Sequence, residues 1–75
     1  MRFQTKRIYT GKAIKTSKQG NEYILLSFLN DDGQTFTVVS DVDVTDDIEQ
    51  LDEVNVEFEI KAGRYINMRV KKIWK

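Results

Sequence analysis

Glu22–Ser40 reads EYILLSFLNDDGQTFTVVS, and the way its middle turns decides the fold. Tyr23–Leu29 is an almost continuous apolar run of strand length. After it, Asn30-Asp31-Asp32-Gly33 fits a three-residue hairpin loop: a type I turn over the aspartates, then Gly33 in the left-handed conformation as a bulge residue. Pairing Asn30 with Gln34 sets Phe28 opposite Phe36 and Leu26 opposite Val38 on one apolar face. Tyr23, Leu25 and Ser27 then share the other face with Thr35, Thr37 and Val39. A two-residue Asp-Gly turn would scramble these sets, because a slip of one residue sends every side chain to the opposite face.

Upstream of this hairpin, Ser17-Lys18-Gln19-Gly20-Asn21 is a polar turn cluster. Arg2–Thr16 before it is rich in β-branched and aromatic residues, and Gly11 in its middle predicts a bulge or sharp bend. One long strand bent there can serve both sides of a small barrel. Downstream, Asp41–Leu51 is acidic, and its few apolar residues follow no strand alternation beyond Val44. Asp46 and Glu49 form a candidate capping pair, with Ile48 and Leu51 on one side of a short helical turn. Val54, Val56, Phe58 and Ile60 alternate with Asn55, Glu57, Glu59 and Lys61, which is the pattern of a half-buried strand. Ala62-Gly63 predicts a tight turn, and Ile66, Met68 and Val70 alternate with Tyr65, Asn67, Arg69 and Lys71 in a last strand. Residues 1–75 are therefore expected to form a single all-β domain, a five-stranded OB-type barrel with a short helical turn between strands three and four. The competing architecture, an SH3-like barrel, would place its longer excursions early and its helical turn just before the last strand.

With 75 residues there is side-chain volume for one core only, and a domain this small gains from pairing with itself or with a ligand, so a homodimer is an open expectation. No apolar run is long enough to cross a bilayer, and Met1–Lys6 already looks like a strand and not a secretory leader, which points to the cytoplasm. The absence of cysteine excludes disulfide staples and thiolate metal sites. With no histidine either, nothing organises the remaining carboxylates, lysines and hydroxyls into catalytic machinery, so no enzyme activity and no cofactor are expected. Asp41, Asp43, Asp46 and Asp47 lack the glycine and the terminal glutamate of a calcium loop, and no metal is assigned to them.

The formal net charge is zero, yet its distribution is polar. Arg2, Lys6, Arg7, Lys12, Lys15 and Lys18 precede any acid; Lys61, Arg64, Arg69, Lys71, Lys72 and Lys75 follow the last one; all twelve acids lie from Glu22 to Glu59. Two basic terminal segments can form one positive face. Alternatively, basic end strands pair with acidic middle strands across a sheet. In an OB barrel, ligands lie across strands two and three between the loops joining strands one to two and four to five. Here those loops, Thr16–Asn21 and Lys61–Arg64, are basic and contain glycine, as contact with phosphates requires. The expected function is single-stranded DNA binding with little sequence preference. Its candidate residues are Lys12, Lys15, Lys18, Lys61, Arg64, Arg69 and Lys71 for phosphates, and Tyr23 and Tyr65 for base stacking. Phe3, Phe28, Phe36 and Phe58 read as core, and Trp74 as a cap on the barrel bottom or a dimer contact. Two other readings stay open: an RNA-binding OB domain, and a protein-interaction module docking through the acidic segment 41–53 and a strand edge.

Ser17–Leu25 (SKQGNEYIL) and Gly63–Lys72 (GRYINMRVKK) together resemble the small single-stranded DNA-binding proteins of filamentous phages and related mobile elements. The resemblance implies DNA contacts from Lys18 and Tyr23 in the first hairpin loop, and a phosphate contact from Arg69 or Lys71. It also implies a place in phage or mobile-element replication, recombination or transfer, with a replication or recombination protein as a further partner. That family dimerises through a long loop between its last two strands, for which Lys61–Arg64 is too short.

Overall fold

The hairpin over Glu22–Ser40 forms in the expected register. Leu26 pairs with Val38 and Phe28 with Phe36, Asn30 N–H donates to the Gln34 carbonyl at 2.7 Å, and Gly33 sits at φ +84°. The computed structural model describes residues 1–75 and contains five strands: β1 (Arg2–Thr16), β2 (Glu22–Leu29), β3 (Thr35–Ser40), β4 (Glu53–Lys61) and β5 (Asn67–Trp74). They close into a barrel in the order β1-β2-β3-β5-β4, with β4 pairing back onto β1. Every contact between neighbours is antiparallel except β3 with β5, a parallel junction of only two residue pairs, Val39–Arg69 and Ser40–Val70.

Closure depends on two bulges. In β1 the register slips between Tyr9 and Gly11, so Thr10 is the extra residue; Arg2–Ile8 pair with β4, and Tyr9–Thr16 pair with β2. Gly11 stands at φ +153°, a backbone conformation that a side chain disfavours. In β5 the buried residues Val70 and Ile73 are three apart, a spacing that no regular strand can turn inward. A slip there solves the problem: Phe58 pairs with Val70 and Glu57 with Lys72, leaving Lys71 as the extra residue. The core so assembled comprises Tyr9, Leu26, Phe28, Val38, Ile48, Val54, Val56, Phe58, Val70 and Ile73. Phe28 is its hub, with ring centroids 6.3 Å from Tyr9, 5.7 Å from Phe36 and 5.9 Å from Phe58. Phe3 departs from its expected place: its ring packs 5.4 Å from Phe58 yet remains partly exposed.

The helical turn expected between strands three and four does not form. Residues 41–52 are bends and isolated turns, because their short polar side chains bind the backbone that a helix would use. Ser40 Oγ accepts from Val42 N–H and Asp43 Oδ1 from Val44 N–H; Glu49 N–H donates to Asp52 Oδ2 at 2.9 Å, so Asp46 does not cap it. Leu51, at φ +71°, leaves helical conformation altogether and is exposed, whereas Ile48 is buried; the two do not share a side. Val42 and Val44 pack against the core, and the segment is stitched to β1 by hydrogen bonds from Tyr9 N–H to Asp52 O (2.9 Å) and from Leu51 N–H to Tyr9 O (2.6 Å). β5 also begins later than expected: residues 62–66 form one loop, and Ile66 is exposed, not an inward strand residue.

Candidate nucleic-acid interface

Side chains paired across neighbouring strands share a face, so the register sorts the surface. One row runs Ile14–Ile24–Ser40–Val70–Phe58–Phe3 around the barrel and contains the buried Ser40, Val70 and Phe58. It faces inward. The adjacent row, Ala13–Leu25–Val39–Arg69–Glu59–Arg2, therefore faces outward. Tyr23 pairs with Lys15 two residues along from Leu25 and Ala13, which puts both on this outer face. Ser27 and Thr37 lie on it too, their hydroxyls 3.0 Å apart. The result is a surface with half-buried Leu25 and Val39 at its centre and an exposed phenol at one end.

A basic loop lies at each end of that surface. Loop 17–21 joins Thr16 to Glu22, near the end of β3, and is closed by hydrogen bonds from Ser17 N–H to Asn21 O (2.8 Å) and from Gly20 N–H to Ser17 O (2.9 Å). Loop 62–66 runs into Asn67, and since β5 is parallel to β3 it lies toward the start of β3. The span between the ends of a strand of this length is roughly 20 Å. Lys15, Lys18 and Tyr23 thus come together at one end, and Lys61, Arg64 and the largely exposed Tyr65 at the other, with Arg69 between.

Two expectations fail against this geometry. Lys12 pairs with the fully buried Leu26, so its side chain leaves on the inward side, opposite to Lys15 and Tyr23. There its Nζ donates to Asp43 Oδ1 at 2.8 Å, which raises the lysine pKa and lowers that of the aspartate. Nor do the terminal cations pool into one positive face. Seven of the twelve are ion-paired: Arg2 with Glu57 and Glu59, Arg7 with Asp31, Lys12 with Asp43, Lys61 with Glu59, Arg69 and Lys71 with Asp41, and Lys75 with Asp52. Asp41 is central, with Oδ1 2.8 Å from Arg69 Nε and Oδ2 2.5 Å from Lys71 Nζ; these bonds, Lys71 first, hold its pKa below the ordinary carboxylate value. Neutralisation of basic end strands by central carboxylates, the alternative reading of the charge pattern, accounts for these pairs.

Lys6, Lys15, Lys18, Arg64 and Lys72 remain without an acidic partner. Sequence reasoning passed over Lys6 and Lys72. Simple alternation with Val70 would turn Lys72 inward, and only the bulge at Lys71 brings it out opposite Glu57. Asp41, Asp43, Asp46 and Asp47 do not converge into a group able to hold a metal ion. A cavity of about 250 Å³ is lined by Lys6, Arg7, Ile8, Leu29, Asn30, Asp31 and Glu53, so its two cations face two carboxylates. No helix is long and apolar enough to cross a membrane. Comparison with protein-family models, with curated proteins and with solved structures finds no match to this chain.

Proposed function

We propose that this chain is an OB-type barrel that binds single-stranded DNA with little sequence preference along the outer face of β2 and β3. One observation carries the reading: an exposed phenol, Tyr23, stands directly opposite a lysine with no acidic partner, Lys15, on an outward face that has a basic loop at either end. An aromatic ring stacks on any base, and lysines beside it neutralise the strand that carries the base, so this combination suits an unpaired polynucleotide without reading its sequence. The order β1-β2-β3-β5-β4 supports the OB assignment. The likeness of Ser17–Leu25 and Gly63–Lys72 to phage and mobile-element proteins supports a role in replication, recombination or transfer, with protein partners from that machinery.

Ion pairing sets the expected strength. Lys15, Lys18 and Arg64 are free on this face, so the logarithm of affinity falls with the logarithm of salt at a slope of about −2. Fluorescence anisotropy with single-stranded and duplex oligomers of DNA and RNA at two salt concentrations tests this. Single strands bind in preference to duplex, and Tyr23→Ala weakens binding by about 1–3 kcal/mol with the slope unchanged. Equal binding of duplex, or an indifferent Tyr23→Ala variant, refutes the proposed site; tighter binding of the RNA oligomer moves the assignment from DNA to RNA.

A further inference from the structure

The five cations without acidic partners fall into two groups, each on a surface that also carries exposed aromatic residues. Lys15 is opposite Tyr23, Lys18 is in the loop that leads to it, and Arg64 precedes Tyr65. The remaining two, Lys6 and Lys72, share an outward surface with Trp74. Lys6 pairs with Asn55 and Asn55 with Trp74, so the three form one outward row across β1, β4 and β5. Lys72 is two residues before Trp74 on the same side of β5. The indole is 38% exposed, comparable to Tyr23 at 37%, and so has a π surface to offer. Of the carboxylates on this face, Glu57 lies between the lysines with Oε2 buried and 3.8 Å from Arg2 Nη1, and Glu53 lies one row further along β4.

We infer that Trp74, with Lys6 and Lys72, is a second stacking site for the same single strand, separate from the β2–β3 face. This rests on the proposed function. Trp74 is five residues beyond Arg69 on β5, roughly 16 Å along the strand and away from loop 62–66, so a bound strand must leave the β2–β3 face along β5 to reach it. Its ligand is a pyrimidine or purine base stacked on the indole, with the flanking phosphates on the two lysines.

Trp74 is the only tryptophan, so its emission reports on this site alone. A 5′-labelled oligo-dT of about 20 nucleotides, longer than one barrel needs, is titrated with the protein at low salt while label anisotropy and tryptophan emission are both followed. The expected result is quenching of Trp74 in step with the anisotropy rise, a loss of affinity of about 5- to 100-fold in Trp74→Ala, and a salt slope shallower by about 0.7 for each of Lys6→Ala and Lys72→Ala. An anisotropy rise with unchanged emission and unchanged slopes overturns the second site and leaves the β2–β3 reading intact. No anisotropy rise at all overturns the DNA-binding reading, and this inference with it.

Discussion

Replacing Asp41 by asparagine should strengthen nucleic-acid binding while slightly weakening the fold. Asp41 holds Arg69 and Lys71 on the outer face beside the β3–β5 junction, one carboxylate oxygen on each cation. Its pKa is lowered, so near neutral pH it is ionised and competes for both cations. Asparagine keeps the size and removes the charge. With a short oligomer that covers only the β2–β3 face, each released cation that engages a phosphate adds about 0.7 to the salt slope, which takes a value of about −2 to about −3.4. At roughly 0.1 M salt, one decade below a 1 M reference, the same two contacts add about 1.4 logarithmic units, or some 25-fold in affinity. Against this, partly exposed ion pairs contribute about 0.2–1 kcal/mol each, so the urea midpoint falls modestly. Opposite signs in the two assays separate a released site from a damaged protein. Asp47→Asn serves as the control, because no lysine or arginine side chain pairs with its carboxylate. Unchanged affinity and slope in Asp41→Asn would refute the view that Arg69 and Lys71 lie on the binding path.

The facing of the β1 lysines makes a second test: Lys15→Ala should reduce the salt slope by about 0.7, whereas Lys12→Ala, on the inward side, should leave it unchanged in the same anisotropy titration. Phe28 is completely buried among three aromatic rings, so Phe28→Ala should cost about 3–5 kcal/mol, a large share of the stability of so small a domain, read as a shift of the urea midpoint. Acid should act through Asp41, Asp43, Asp52 and Glu59, whose pKa values are all lowered by their partners in the folded state. Their contribution is present above the unfolded carboxylate pKa of about 4 and is lost as pH falls through the folded values. The urea midpoint should therefore hold from pH 7 to about 5 and decline below about 4; a midpoint that falls between pH 7 and 5 would contradict this.

Local chemistry makes the hairpin legible in the linear sequence. The turn residues Asn30–Gly33 set which strand residues meet, and the apolar set Leu26, Phe28, Phe36 and Val38 then has only one way inward. Gly11 marks the bend of β1 for the same kind of reason, since backbone that disfavours a side chain needs the residue that has none. The acidic segment misleads because Asp46–Glu49 and Ile48–Leu51 imitate a helix start, while the nearer competition between aspartate side chains and backbone amides favours turns. Among the candidate site residues, the nearness of Lys15, Lys18 and Tyr23 is legible because Lys18 lies in the loop that Lys15 and Tyr23 flank. Lys12 is not, because the Thr10 bulge decides which way each side chain of the following residues points.

What the amino-acid order alone determined is the set of strands, the alternation of β4, the hairpin register and the concentration of positive charge at both ends of the chain. Tertiary structure alone decided which cations remain available. Asp41 neutralises Arg69 and Lys71, 28 and 30 positions away, because barrel closure places β3 beside β5. Lys72 faces out with Trp74 because a bulge resets the strand after Val70. Strand and turn signals act over a few residues and survive in a linear reading. Charge pairing and side-chain facing depend on which distant segments become neighbours, and that is settled only when the barrel closes.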